Sequence, residues 1–145
     1  MALATFEQSP FETLVDPAVG ITFGYAWGAS VGAFLEDHPL AELVTDEADI
    51  QEYALTTPFG FCGLEAYAFF QFQLDCLISI SIRWGFEEQV PIDEDCAACI
   101  AQALMGWFSN EIEQLDDAFY QVEEGPTRAS LDWMEQRMVL EEILE

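Results

Sequence analysis

The chain contains no lysine. Its basic side chains are Arg83, Arg128, Arg137 and the single histidine His38, set against 28 Asp and Glu, for a formal net charge of −25 over 145 residues. Each shortage excludes something. Phosphate contacts need clustered Lys and Arg, so direct nucleic-acid binding is excluded, and docking on an anionic membrane surface with it. Without lysine, Schiff-base chemistry and P-loop phosphate binding are impossible. No glycine-rich phosphate loop occurs. His38 sits between Asp37 and Pro39 at a predicted helix end, with no nucleophile or orienting group in sight; there the helix dipole favours its charged form. The sequence therefore predicts no catalytic residue, no cofactor and no enzyme activity.

Cysteine is also scarce. Four cysteines in a chain of this length do not make a disulfide scaffold. Cys96-x-x-Cys99 stands beside Asp93, Glu94 and Asp95, which oppose a lowered thiol pKa, and no second pair or histidine completes a zinc site. Buried structural cysteines are expected. Asp93-x-Asp95 lacks the glycine and distal glutamate of a calcium loop, so no metal site is predicted. The first residues show neither a basic region nor a continuous apolar stretch. A reducing cytoplasm is the expected setting, that of the host cell if the chain is phage-encoded.

What the chain does hold is apolar: 52% of residues, 14% aromatic, with 21% charged. That suffices for a core, and residues 1–145 read as one domain. Residues 1–15 read as an extended lead-in. Asp16-Pro17 offers an N-cap with proline at the first helical position. Residues 17–35 carry no charge and have Gly20, Gly24, Gly28 and Gly32 at every fourth position, which would stack on one face of a buried helix. A strand over 21–27 is the alternative, because glycine costs about 1 kcal/mol in a helix. Membrane insertion is disfavoured, since no Lys or Arg flanks the segment. Residues 39–55 read as short acidic helices.

The clearest pattern follows. Phe70, Phe72, Leu74, Cys76, Ile78, Ile80, Ile82 and Trp84 alternate with mostly polar residues, the signature of a strand with one buried face. It is one long bent strand or two joined by a tight link, partnered by 2–15, 21–27 or 59–69. From Asp93, Ile100, Leu104, Phe108, Ile112, Leu115, Phe119 and Val122 form one helical stripe, with a break near Gly106 or Ser109-Asn110, closed by Gly125-Pro126. Thr127 or Ser130 opens a last helix. The predicted fold is α+β: a small antiparallel sheet including a long strand near 70–84, covered by acidic amphipathic helices.

A small domain normally carries a net charge of about 2–8 in magnitude, and more destabilises it by self-repulsion. Acidic helices usually interleave Lys or Arg at i, i+4. Here Glu113 and Asp117 are a like-charged pair instead. Glu111, Glu113, Asp116, Asp117, Glu123 and Glu124 would place one charge per roughly 3.5 Å of helix, near the phosphate spacing of about 3.4 Å along one DNA strand. With Asp132 and Glu135, and with Glu42, Asp46, Glu47 and Asp49, they are the predicted partner-binding residues. Each arginine is expected to be paired with a carboxylate.

These features predict a non-enzymatic inhibitor: an acidic DNA mimic that occupies the basic site of a nucleic-acid-binding protein, in phage or mobile-element counter-defence against restriction or CRISPR nucleases. The alternatives are an immunity protein or antitoxin plugging a basic nuclease toxin, and a halophile protein with an acid-adapted surface. A homodimer packed on the glycine-lined helix is an added expectation.

Overall fold

The computed structural model describes residues 15–22, 24–55, 59–61, 64–84, 94–116, 119–132 and 136–143. The readings placed on 1–14 and 85–91, and on Asp93, Asp117 and Glu135, lie outside them. Strands dominate. In chain order they are β1 (Ile21–Thr22), β2 (Tyr25–Ala26), β3 (Glu42–Glu47), β4 (Ile50–Ala54), β5 (Phe59–Phe61), β6 (Leu64–Gln73), β7 (Cys76–Trp84), β8 (Glu113–Asp116), β9 (Phe119–Glu124), β10 (Thr127–Asp132) and β11 (Arg137–Glu142). Two helices accompany them, α1 (Val31–Asp37) and α2 (Glu94–Trp107). The expected α+β domain covered by acidic helices is not formed; the chain is mostly β.

Nine strands make one antiparallel sheet in the order β3-β4-β6-β7-β11-β10-β9-β8, with β5 beside β6. Each half is a meander of neighbouring hairpins. The halves meet at β7 and β11. The α2 segment carries the chain from the central strand β7 to the far edge at β8.

The alternation over 70–84 is β, as read, but it is two strands. Leu74 and Asp75 form the link, with φ of 50° and 65°. Both central residues of such a two-residue hairpin need positive φ, which Asn-Gly usually supplies. The register then slips by one residue between Gln71↔Ser79 and Phe72↔Leu77. Ile78 is the extra residue, so Leu77 is buried and Cys76 exposed, the reverse of the simple alternation. From Ile80 onward the expected residues, Ile80, Ile82 and Trp84, face the core.

Leu74 is 70% exposed, so its side chain packs little while its backbone is strained. Leu74→Asn should therefore stabilise the protein by about 1 kcal/mol, seen as a higher urea midpoint at unchanged slope. An unchanged or lower midpoint would refute the strain assigned to this turn. Asp75 should be left alone, because its carboxylate accepts from Val31 N–H at 2.9 Å and so helps cap α1.

Gly20, Gly24 and Gly28 are turn residues, not a helix face, and Gly32 alone of the four is helical, in α1. Gly20, Gly24 and Gly28 have φ of 79°, 84° and 93°, which an α-helix forbids and glycine accepts freely. The segment makes the short β1–β2 hairpin before α1 starts at Ser30, whose hydroxyl accepts from Ala33 N–H. The helix expected over 17–35, and with it the proposed dimer surface, is absent.

The apolar stripe holds through Ile100, Leu104 and Phe108, all buried. The helix then ends at Trp107. Residues 113–116 and 119–124 are strands, as are 127–132 and 137–142, where helices were expected. Their alternation explains the difference. Thr127, Ala129 and Leu131 point inward while Arg128, Ser130 and Asp132 do not, so a helix would split this apolar set around its circumference. Residues 39–55 are likewise strands β3 and β4 rather than acidic helices.

One face of the sheet carries Ala68, Phe70, Ile80, Ile82, Met138, Leu140, Ala129, Leu131 and Val122, and α1 and α2 close it with Phe34, Ile100 and Leu104. Residues paired across a ladder share a face, so the registers also define the opposite, open face, which no described helix covers.

Candidate functional site

The open face is read row by row across the strands. One row runs Glu123, Arg128, Glu141, Ser79, Gln71, Glu52 and Thr45. The next holds Glu113, Gln121, Ser130, Val139, Ser81, Phe69, Ala54 and Glu42. A third holds Phe119, Asp132, Arg137, Arg83 and Tyr67. The centre of the face is thus amide, hydroxyl, aromatic and arginine, with acids toward both sides.

The predicted acids separate accordingly. Glu42, Asp46 and Glu47 lie on β3, one edge strand, and Asp49 lies in the β3–β4 turn; all four are exposed. Glu111 precedes β8, the other edge strand, which carries Glu113 and Asp116. Glu123 and Glu124 are on β9 and Asp132 on β10. Seven inter-strand steps separate the edges, about 34 Å at about 4.8 Å each in a flat sheet. The residues of 111–124 therefore do not share one helix, and the phosphate-spacing argument built on that helix falls.

Two of the predicted acids, Glu123 and Glu124, have structural work, as does Glu141. Glu124 accepts from Ser109 N–H at 2.5 Å and from Asn110 N–H at 3.3 Å, tying the end of α2 to β9. Glu123 and Glu141 flank Arg128 on the two neighbouring strands, at 3.5 Å and 2.6 Å. The hydrogen bond to Glu141, foremost, raises the Arg128 pKa above its usual value. Glu42, Asp46, Glu47, Asp49, Glu111 and Glu113 have no ion pair among the described residues. Apolar side chains stand between them: Leu43 and Val44 on β3 and Leu115 on β8 are exposed, as is Leu40 before β3.

The arginines do not all pair. Arg83 and Arg137 sit directly opposite one another on β7 and β11, and neither has an ion pair among the described residues. The Arg83 guanidinium lies 4.5 Å from the centre of the Phe69 ring. Sequence reasoning placed Arg83 on the polar face but could not foresee a second arginine beside it.

His38 closes α1 and packs on Phe34 and Phe70, ring centres at 5.1 Å and 6.1 Å. Burial lowers its pKa below the usual 6.5, and Asp37 opposes this only in part, so the expected preference for the charged form is reversed. Burial, reinforced by the Tyr25 hydroxyl's 2.6 Å bond to Asp37, raises the Tyr25 pKa. Because the unfolded state takes the His38 proton first, the contribution of the neutral ring is whole above pH 6.5. It is lost as pH falls from there through the lower folded value. Urea melts of wild type and His38→Gln should differ less as pH drops through that window. A difference independent of pH would refute the assignment.

Neither described cysteine is buried. Cys76 is a free, exposed thiol. Cys99 is exposed and disulfide-bonded. This corrects the expectation of buried, reduced cysteines. Among the described residues no group of three or more His, Cys, Asp or Glu could hold a metal ion, and no helix is long and apolar enough to cross a membrane. No family model, curated protein or solved structure matches the chain.

Proposed function

We propose that this protein is a non-enzymatic inhibitor that presents carboxylates in place of nucleic-acid phosphates to the basic site of a nucleic-acid-binding protein. The observation carrying this reading is the idle charge on the two sheet edges. Glu42, Asp46, Glu47 and Asp49 on one side, and Glu111 and Glu113 on the other, are exposed and without ion pairs among the described residues. Acids also guard edge strands against pairing with other sheets. That role does not account for exposed Leu43, Val44 and Leu115 beside them. Carboxylates with apolar side chains between them suit a basic groove, where charge speeds encounter and apolar contact selects the partner. The setting is phage or mobile-element counter-defence.

The test is capture of lysate proteins on the immobilised chain at about 0.1 M salt, with elution by duplex DNA. A DNA-handling protein displaced by DNA is the expected result, with affinity falling steeply as salt rises. Replacing Glu42, Asp46 and Glu47 together by Lys, or Glu111 and Glu113 together, should weaken capture by about tenfold or more per edge engaged without changing the far-UV spectrum. Capture that survives both replacements would overturn the proposal. A chain that folds only in molar salt would favour the halophile reading instead.

A further inference from the structure

We propose that Arg83 and Arg137 form a receptor for a carboxylate carried on an apolar body. The two are direct cross-strand partners on the open face. At such positions the Cβ atoms lie about 4.5–5.5 Å apart, and like charges destabilise the sheet. Among the described residues the relief is limited to the Phe69 ring under the Arg83 guanidinium. Neither arginine has an ion pair among the described residues, although the chain holds 28 acids. Asp132 is the cross-strand neighbour of Arg137 on β10, yet no ion pair joins them. Arg128, one row away, is held by two carboxylates, so the sheet is able to pair an arginine. The Nε of Arg83 is buried and has no hydrogen-bond partner. A desolvated guanidinium donor without an acceptor is costly, so the fold holds this charge in place at a standing cost.

The neighbours select the oxyanion. Two arginines opposite one another in the register suit a planar carboxylate, which a guanidinium grips through parallel N–H donors. A dianionic phosphate would meet twice the repulsion from a chain of net charge −25. Phe69 supports the Arg83 guanidinium from below. Tyr67, Val139 and Phe119 share the surrounding rows of the same face. These surfaces fit an acid with a hydrocarbon body better than an inorganic ion. The carboxylate could belong to a small organic acid or to the chain end of a protein, and the test separates the two. The inference does not depend on the inhibitor reading.

With three arginines and no lysine, the arginine Nε–Hε signals are few enough to follow singly by NMR. Phenylacetate is the probe, with benzyl alcohol and sodium chloride as controls. The Arg83 and Arg137 signals should shift and saturate with phenylacetate alone, while Arg128 stays. Arg137→Gln, at an exposed site, should weaken binding by about tenfold or more, the loss of one charge-assisted bond, with the remaining spectrum showing an intact fold. Signals that do not move, or drift together without saturating, would overturn the proposal, as would wild-type affinity in Arg137→Gln. An acetylated peptide ending in Phe, with its C-terminus as sole carboxylate, is the second probe. Saturation at about tenfold lower concentration than phenylacetate assigns the site to a chain end. Equal or weaker binding assigns it to a small acid.

Discussion

Phe34→Ala should destabilise the protein by about 3–5 kcal/mol, the usual loss for a buried phenylalanine. Phe34 has no exposed surface and is the one buried residue of α1. Its ring lies 4.6 Å from Phe70, 5.4 Å from Phe72, 5.8 Å from Tyr53 and 6.1 Å from Tyr25, centre to centre. A seven-residue helix has no stability of its own in water. Truncating its anchor therefore leaves a cavity and also releases α1 from the sheet. The second effect places the expected loss at the upper end of the range. Chemical denaturation measures it, with Leu35→Ala as the comparison, since Leu35 is only half-buried at the margin of the same cluster. If Phe34→Ala cost less than Leu35→Ala, the docking of α1 described above would be wrong.

Gly125→Ala should cost about 2–5 kcal/mol by a different route. Gly125 has φ of 57°, a left-handed conformation that costs a side-chain-bearing residue about 1–2 kcal/mol. A Cβ there would also fall 2.5 Å from the carbonyl oxygen of Ala18 and 2.9 Å from its Cα. These are backbone atoms and cannot rotate aside, so the 17–20 turn would have to move, adding an overpacking cost of about 1–3 kcal/mol. That turn is itself wedged, because the Cβ position of Gly20 lies 3.1 Å from both Pro126 and Trp27. Trp27 in turn donates to Thr127 Oγ1 at 2.9 Å. A thermal melt within experimental error of wild type would show that the two turns do not touch as described.

Gly125-Pro126 also shows where the sequence is legible and where it deceives. The pair reads equally well as the stop of a helix and as a hairpin with glycine at its first central position. The apolar residues Ile112, Leu115, Phe119 and Val122 fall three and four apart by coincidence, which tilts the reading toward helix. The alternation of Thr127, Ala129 and Leu131 with Arg128, Ser130 and Asp132 was the better guide to that region. The β character of 70–84 was legible because its alternation was long. Its turn was not, because Leu74, which takes the first positive φ, is a residue that rarely does so. Gly20, Gly24 and Gly28 have the spacing of a helix face and the backbone of successive turns, a distinction that lies in φ and not in composition.

Of the candidate sites, the acids were legible as charge but not as geometry. Nothing in the run from Glu111 to Glu124 reveals that Glu124 secures a loop while Glu113 lies idle on an edge. The Arg83–Arg137 pair was beyond reach for a related reason. Strand register sets it, and the two residues come from hairpins in different halves of the sheet.

The joint between β7 and β11 has a kinetic consequence. Every other pairing in the large sheet joins strands that are successive in the chain or separated only by the short β5, so each closes a short loop at small entropic cost. The joint alone must bring together segments separated by the α2 crossover and by three strands of the second meander. Loop-closure entropy is thus concentrated in one event. The union of the two meanders is therefore the step expected to limit refolding.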